Sequence, residues 1–162
     1  MKGFMHYQNL NSIKLVTFKP WHVFPLRRIR NDEEISSDSL SEIVHFNIEE
    51  TFKWAKKKHK EQLFRVIVKG IKVMGYIQVV EAEGKGWIGI CISKSWQGRG
   101  IGKEALSALL ELEKIKKVDL RISVSTQNLR AVSLYSALGF YEIERTCKIY
   151  QGNEIELIIM SY

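Results

Sequence analysis

The 162-residue chain has few of the residues that staple, kink or ligate: two prolines, two cysteines and four histidines. It contains no run of eighteen or more apolar residues, which argues against a transmembrane helix. The opening residues, Met1-Lys2-Gly3-Phe4-Met5-His6, lack the apolar core of a signal peptide. Cys91 and Cys147 both fall in strand-like runs. They read as two buried free thiols of a cytoplasmic protein, not as a disulfide or a metal pair. His6, His22, His45 and His59 show no ligand spacing with one another or with the cysteines, so no metal is expected. Repeats, low-complexity tracts and linkers are absent too, and residues 1–162 are expected to form one domain with a sizeable core.

Negative charge is also in deficit: 25 Lys and Arg face 18 Asp and Glu, a formal net charge of +7. Much of the excess lies at residues 53–60 and 114–117. The first cluster, Lys53-Trp54-Ala55-Lys56-Lys57-Lys58-His59-Lys60, fits the solvated face of a helix, with Phe52 and Trp54 at its buried edge. The sharper alternatives to that reading are steering of an anionic ligand, or docking on a nucleotide-linked or ribosomal substrate. No nucleic-acid motif accompanies the charge, so neither a nucleic-acid nor a membrane partner is expected.

Periodicity places the elements. Residues 12–18 read as a strand, Pro20 and Pro25 bracket an irregular or short helical stretch, and residues 36–46 are loop-like. Asn47 is a candidate N-cap, with Glu49 and Glu50 in the first turn of a helix running to about His59. Residues 63–68 and 73–81 alternate and are β-branched, which predicts a hairpin about Lys69-Gly70. A turn at Glu83-Gly84-Lys85-Gly86 leads to a central strand at 87–93. A helix over 102–115, a strand over 118–124 and a helix over 129–138 follow. Strands at 140–150 and 154–162 close the chain, joined at Gln151-Gly152-Asn153.

The richest local signal is Gln97-Gly98-Arg99-Gly100-Ile101-Gly102, between the central strand and the helix after it. A glycine-rich turn that opens a helix offers several backbone N–H donors and the positive end of the helix dipole to a phosphate. Two nucleotide motifs do not fit. A P-loop needs Lys-Ser/Thr after its last glycine, whereas Gly102 is followed by Lys103-Glu104. The dinucleotide fingerprint needs Gly-x-Gly-x-x-Gly in the first βα turn, whereas Gly98, Gly100 and Gly102 are spaced by two and come late.

A second block follows: Asn128-Leu129-Arg130-Ala131-Val132-Ser133-Leu134-Tyr135-Ser136-Ala137-Leu138-Gly139-Phe140. The turn resembles the Gln/Arg-x-x-Gly-x-Gly/Ala signature, and the block the Asn-x-x-Ala-x-x-Leu-Tyr-x-x-x-Gly-Phe signature, of the GNAT superfamily of acetyl-CoA-dependent N-acetyltransferases. The resemblance covers residues 64–162 well and the first third weakly. It implies an α+β fold, layered as helices on both sides of a mixed, mostly antiparallel sheet of about seven strands. That sheet is splayed between its fourth and fifth strands. It also implies a set of roles. Ile90, Cys91 and Ile92 match the strand whose backbone pairs with pantetheine and stabilises an oxyanion. Gln97, Gly98, Arg99, Gly100, Ile101, Gly102 and Lys103 match the pyrophosphate turn. Asn128 matches an asparagine that binds the CoA arm and could also cap its helix. Tyr135 matches the tyrosine that protonates the departing thiolate.

For the general base the family's usual carboxylate near the start of the central strand is missing, and Glu81 or Glu83 on the preceding arm are the candidates, with Ser93 or Ser125 able to position water. The run Ile29-Arg30-Asn31-Asp32-Glu33-Glu34-Ile35, with residues 48–54, resembles the branch that holds ribosomal-protein N-terminal and nucleotide amino-sugar acetyltransferases. The implied activity is transfer of an acetyl group to a primary amine, an amino-sugar nucleotide or a protein N-terminus being preferred, by a monomer or homodimer. A rival reading is a silent domain that binds CoA as a regulatory module.

Overall fold

The computed structural model describes residues 12–40, 44–112 and 118–162. Its strands are β1 (Lys14–Val16), β2 (Leu63–Lys69), β3 (Lys72–Ala82), β4 (Lys85–Ile92), β5 (Leu120–Ser125), β6 (Tyr141–Tyr150) and β7 (Asn153–Ser161). They make one seven-stranded sheet in the order β1-β2-β3-β4-β5-β7-β6. Neighbours run antiparallel except β4 and β5, which run parallel. The helices are α1 (Val23–Arg30), α2 (Glu33–Asp38), α3 (Ile48–Glu61), α4 (Ile101–Leu110) and α5 (Leu129–Ala137). This is the mixed, mostly antiparallel sheet flanked by helices that the resemblance implies.

Alternation along the strands sorts side chains to two faces. Phe64, Val66 and Val68 of β2 cluster with Leu26 of α1 and Ala55 of α3. Ile67 of β2, Ile77 of β3 and Ile88 of β4 cluster instead with Ala105, Leu106 and Leu109 of α4. Phe64 and Leu106 are fully buried, and each such side chain stabilises the fold by roughly 1.5–3 kcal/mol.

The helix starts follow local chemistry. Asn47 Oδ1 accepts from Glu50 N–H at 2.9 Å, and Glu50 Oε2 accepts from Asn47 N–H at 2.8 Å, a reciprocal box that opens α3. Pro25 stands third in α1, where its missing N–H would have no intrahelical acceptor. The β3–β4 hairpin turns through Glu83 (φ 53°) and Gly84 (φ 72°), and β6–β7 through Gln151 (φ 50°) and Gly152 (φ 78°). Two successive positive φ values match the twist of the flanking strands.

Three expectations are corrected. Residues 36–38 are not loop but the end of α2, which Asp32 caps by accepting from Ile35 N–H at 3.1 Å; residues 41–43 of that stretch lie outside the described residues. Cys147 is exposed, because β6 is an edge strand, whereas Cys91 is buried. The helix after the glycine turn is α4, from Ile101 to Leu110; residues 113–115 of its expected end, and the basic cluster at 114–117, lie outside the described residues.

β4 and β5 are in register only at Gly86↔Leu120 and Trp87↔Arg121. Their paired end is pinned by Asp119, whose carboxylate takes Lys85 on one side and Arg121 on the other. The close approach needs glycine: a Cβ on Gly86 would stand 2.6 Å from Val118 Cγ1 and 3.0 Å from Val79 Cγ1. Beyond that point the strands part, and the sheet opens into a V.

Candidate active site

The strand geometry decides which peptide groups face the V. Gly86 N–H donates to Asp119 O at 2.9 Å, toward β5, while Ser93 N–H donates to Met74 O at 2.8 Å, toward β3. Backbone direction alternates along a strand. So Ile88, Ile90 and Ile92 present their peptide groups to the splay, and Gly89 and Cys91 turn theirs to β3. Ile92 C=O is taken by Gln97 Nε2 at 3.0 Å. Ile88 and Ile90 have no strand partner on that side. Opposite them, Leu120 C=O and Thr126 N–H face β7, which by the same alternation leaves Ser123 facing the V. Peptide groups so placed need hydrogen-bond partners, and an extended ligand with its own amides supplies them.

The V forms a cleft of about 970 Å³. The glycine turn closes one end. Gly98 (φ 71°) and Gly100 (φ 79°) are left-handed, and a Cβ on Gly100 would meet nothing within 4 Å, so the backbone conformation alone calls for glycine there. Gly100 is the N-cap of α4 and provides no side-chain cap. The helices α2, α3 and α5 all have side-chain caps, from Asp32, Asn47 and Asn128. The first intrahelical bond of α4 runs from Glu104 N–H to Gly100 O at 3.0 Å. The N–H groups of Ile101, Gly102 and Lys103 therefore stand open at the cleft, at the positive end of the dipole. Lys103 and Arg130 line the same end. Donors, dipole and cations together suit a pyrophosphate, and the β4 edge suits the amides of a pantetheine arm. These residues fit CoA.

Asn128 caps α5 by accepting from Ala131 N–H at 3.1 Å. Its Nδ2 is left for a ligand in the cleft it lines. Tyr135 lies on α5 at the cleft wall, 7% exposed, its ring 6.1 Å from that of Phe140. Burial pushes its phenol up to about 12, so it stays protonated at neutral pH and is able to donate.

Other sequence-named residues are divided. Ile90 and Ile92 offer backbone to the splay, whereas Cys91 offers its backbone to β3 and its thiol to a separate cluster with Ile29 and Ile35. Gln97 lines the cleft and closes the turn back onto β4. Arg99 does not line it: its guanidinium lies over the Trp96 ring, 5.1 Å from the centroid. Glu81 is exposed beside Gly86 at the closed end of the V and lines no part of the cleft, about 17 Å along the strand from Tyr76 at ~3.4 Å per residue. Ser125 lines the cleft, whereas Glu83 sits in the distal hairpin turn.

Sequence reasoning missed Arg130, which lies inside the second signature but at one of its variable positions. It also missed Asp38, the single carboxylate on the cleft wall among the described residues, at the C-terminal end of α2. The signal for α2 was present in Asp32-Glu33-Glu34, a cap followed by first-turn acids.

The acetyltransferase (GNAT) family model matches residues 26–140. The chain belongs to the GNAT acetyltransferase family. A curated relative of this GNAT chain is the N-terminal acetyltransferase B complex catalytic subunit NAA20 of Arabidopsis thaliana. It is 32% identical over 94 residues, 52% of the chain and 53% of the relative. The chain thus matches about half the length of that protein. Among solved structures, the spermidine N-acetyltransferase of Vibrio cholerae, in complex with CoA and spermine, superposes with a TM-score of 0.83 at 18% identity, covering 93% and 95% of the two chains. The ribosomal-protein-alanine N-acetyltransferase of Brucella melitensis superposes with a TM-score of 0.78 at 20% identity, covering 93% and 98%. At such identities the likeness is one of fold. Among the described residues no group of His, Cys, Asp and Glu is arranged to hold a metal, and no helix is long and apolar enough to cross a membrane.

Proposed function

We propose that the protein is an N-acetyltransferase that moves the acetyl group of acetyl-CoA to a primary amine by direct attack in a ternary complex. The favoured acceptors are an amino-sugar nucleotide or a protein N-terminus. The observation that carries the reading is the unpaired β4 edge meeting the uncapped α4 N-terminus in one cleft, with a buried phenol opposite. When bound, acetyl-CoA supplies an activated thioester: the amine nitrogen bonds to its carbonyl carbon, the carbon–sulfur bond breaks, and the thiolate leaves.

The chain's own groups then have separable tasks. The N–H groups of Ile101, Gly102 and Lys103, with the Lys103 and Arg130 side chains, hold the pyrophosphate. Ile88 and Ile90 align the arm, and an N–H on this edge meets the charge that develops on the carbonyl oxygen. Tyr135 donates a proton to sulfur. Asp38 receives the amine's proton, directly or through water. Both thiols are free among the described residues, which suits the reducing cytoplasm, and residues 1–162 act as one catalytic domain.

Thiol release from acetyl-CoA in the presence of an amine panel, with mass spectrometry of the acceptor, tests this. A product heavier by one acetyl group is expected. Tight CoA binding with no turnover on any amine would replace the reading with that of a silent CoA-binding module.

A further inference from the structure

A second cleft, of about 850 Å³, lies between α1, α3 and the face of β3 and β4 that carries Tyr76, Gln78 and Cys91. Tyr76, Gln78 and Cys91 line both clefts, so the second opens onto the reacting end of the first. Its described walls carry three cations, Arg30, Lys58 and Lys148, and no carboxylate.

Arg30 is the last residue of α1, and its guanidinium is clamped between two rings, 3.6 Å from the Phe46 centroid and 4.2 Å from that of Trp54. Phe46 is itself strapped down. Asn31 donates to its C=O at 2.9 Å and accepts from its N–H at 2.9 Å, and Arg27 Nε donates to the same C=O at 2.8 Å. The guanidinium is therefore fixed in plane, yet its Nη1 is buried with no hydrogen-bond partner. Burial is also the main reason its pKa is lowered, with Tyr76 and Glu50 pulling the other way. Lys58 is lowered by burial and by the fields of Lys57 and Arg30, against Glu61. The pocket thus holds positive charge that no carboxylate on its described walls neutralises.

Among the described residues the other buried side-chain atom without a partner is Gln78 Oε1. Gln78 and Tyr76 are two apart on β3 and share a face, about 7 Å from each other. Its amide lies over Gly89, where an added Cβ would come within 3.1 Å of Nε2. One orphaned acceptor at the boundary between the clefts and one orphaned cationic donor inside the second form a complementary pair.

We propose that the acceptor is a small amine that carries an oxyanion, carboxylate or phosphate, with Arg30 receiving the oxyanion and Gln78 Oε1 receiving an N–H of the amine. This rests on the acetyltransferase reading and narrows it. An amino-sugar nucleotide carries such a group, a neutral peptide N-terminus does not, and a polyamine is repelled.

The test compares matched acceptors on the wild-type protein: an amino acid against its carboxamide, an amino-sugar phosphate against the free amino sugar, and spermidine. The anionic member of at least one pair is expected to exceed its neutral twin in kcat/KM by about 10- to 100-fold, the range for a hydrogen bond to a charged group. The pair that discriminates identifies carboxylate or phosphate. Arg30→Met is expected to bring that ratio near one by raising KM for the anionic member, with CoA affinity unchanged. Arg30→Lys should restore part of it. Equal or better turnover of neutral amines or spermidine overturns the proposal and leaves the acetyltransferase reading standing. No turnover on any amine overturns both. The wild-type comparison decides the matter even if a variant does not fold.

Discussion

Replacing Tyr135 by Phe isolates one hydroxyl. The ring keeps its contact with Phe140 at 6.1 Å, and no hydrogen bond among the described residues engages the hydroxyl, so its loss orphans no buried partner. Folding stability should change by no more than about 0.5 kcal/mol. Chemistry should change far more. A positioned proton donor contributes about 10²–10⁴-fold, or ~2.7–5.4 kcal/mol of barrier. Burial raises the phenol to about 12. Desolvation disfavours a free thiolate in the cleft as well, so the departing sulfur takes a proton more readily there than in water. Single-turnover and steady-state kinetics with the best amine should show kcat down by at least about 100-fold and CoA affinity within about twofold of wild type. Wild-type kcat should show no alkaline descent from Tyr135 below its pKa of about 12, because the acid form persists there. A folded Tyr135→Phe with kcat within about threefold of wild type refutes the acid role.

Asn128→Ala should lower stability by about 1 kcal/mol through loss of the α5 cap. Asn128→Asp should keep that cap and weaken CoA binding alone, as read by thermal melts and calorimetry. Gly75→Ala should prevent or severely weaken folding, since a Cβ there would sit 2.1 Å from Cys91 O. Gly100→Ala meets no neighbour within 4 Å and should cost only the left-handed penalty of about 1–2 kcal/mol while reducing CoA affinity; urea unfolding ranks the two. Asp119 is held below the usual carboxylate range, first by its hydrogen bond from Lys85 and then by Arg121. Its contribution is present above the unfolded-state pKa of about 3.9 and lost as pH falls through the lower folded-state value. Urea midpoints for Asp119→Asn should therefore converge with wild type at acid pH and fall below it at neutral pH.

The sheet was legible in the sequence because its signals are local: alternation in β2 and β3, and turn residues at Lys69-Gly70, Glu83-Gly84 and Gln151-Gly152. The candidate donor half of the site was legible through resemblance: the glycine turn, the Asn128 cap and Tyr135 lie in two contiguous segments that match family signatures. The proposed acceptor half was not. Arg30 looks like any basic residue in the last turn of a helix, and only tertiary packing sets Phe46 and Trp54 on its two faces. Asp38 ends a helix too short for a periodic pattern. Glu81 was misplaced because a carboxylate near β4 in sequence lies at the wrong end of a long hairpin.

The parting of β4 and β5 has one more consequence. On the β4 edge the sheet is one strand short, and in the proposed reaction the cosubstrate takes the place of the missing strand. Each cycle would then complete the sheet and dismantle it again. Stability should rise with CoA concentration as ligand-linked folding requires. Amide exchange at Ile88 and Ile90 should slow when the cleft fills, while the Asp119 end of the V, already paired, should hardly change.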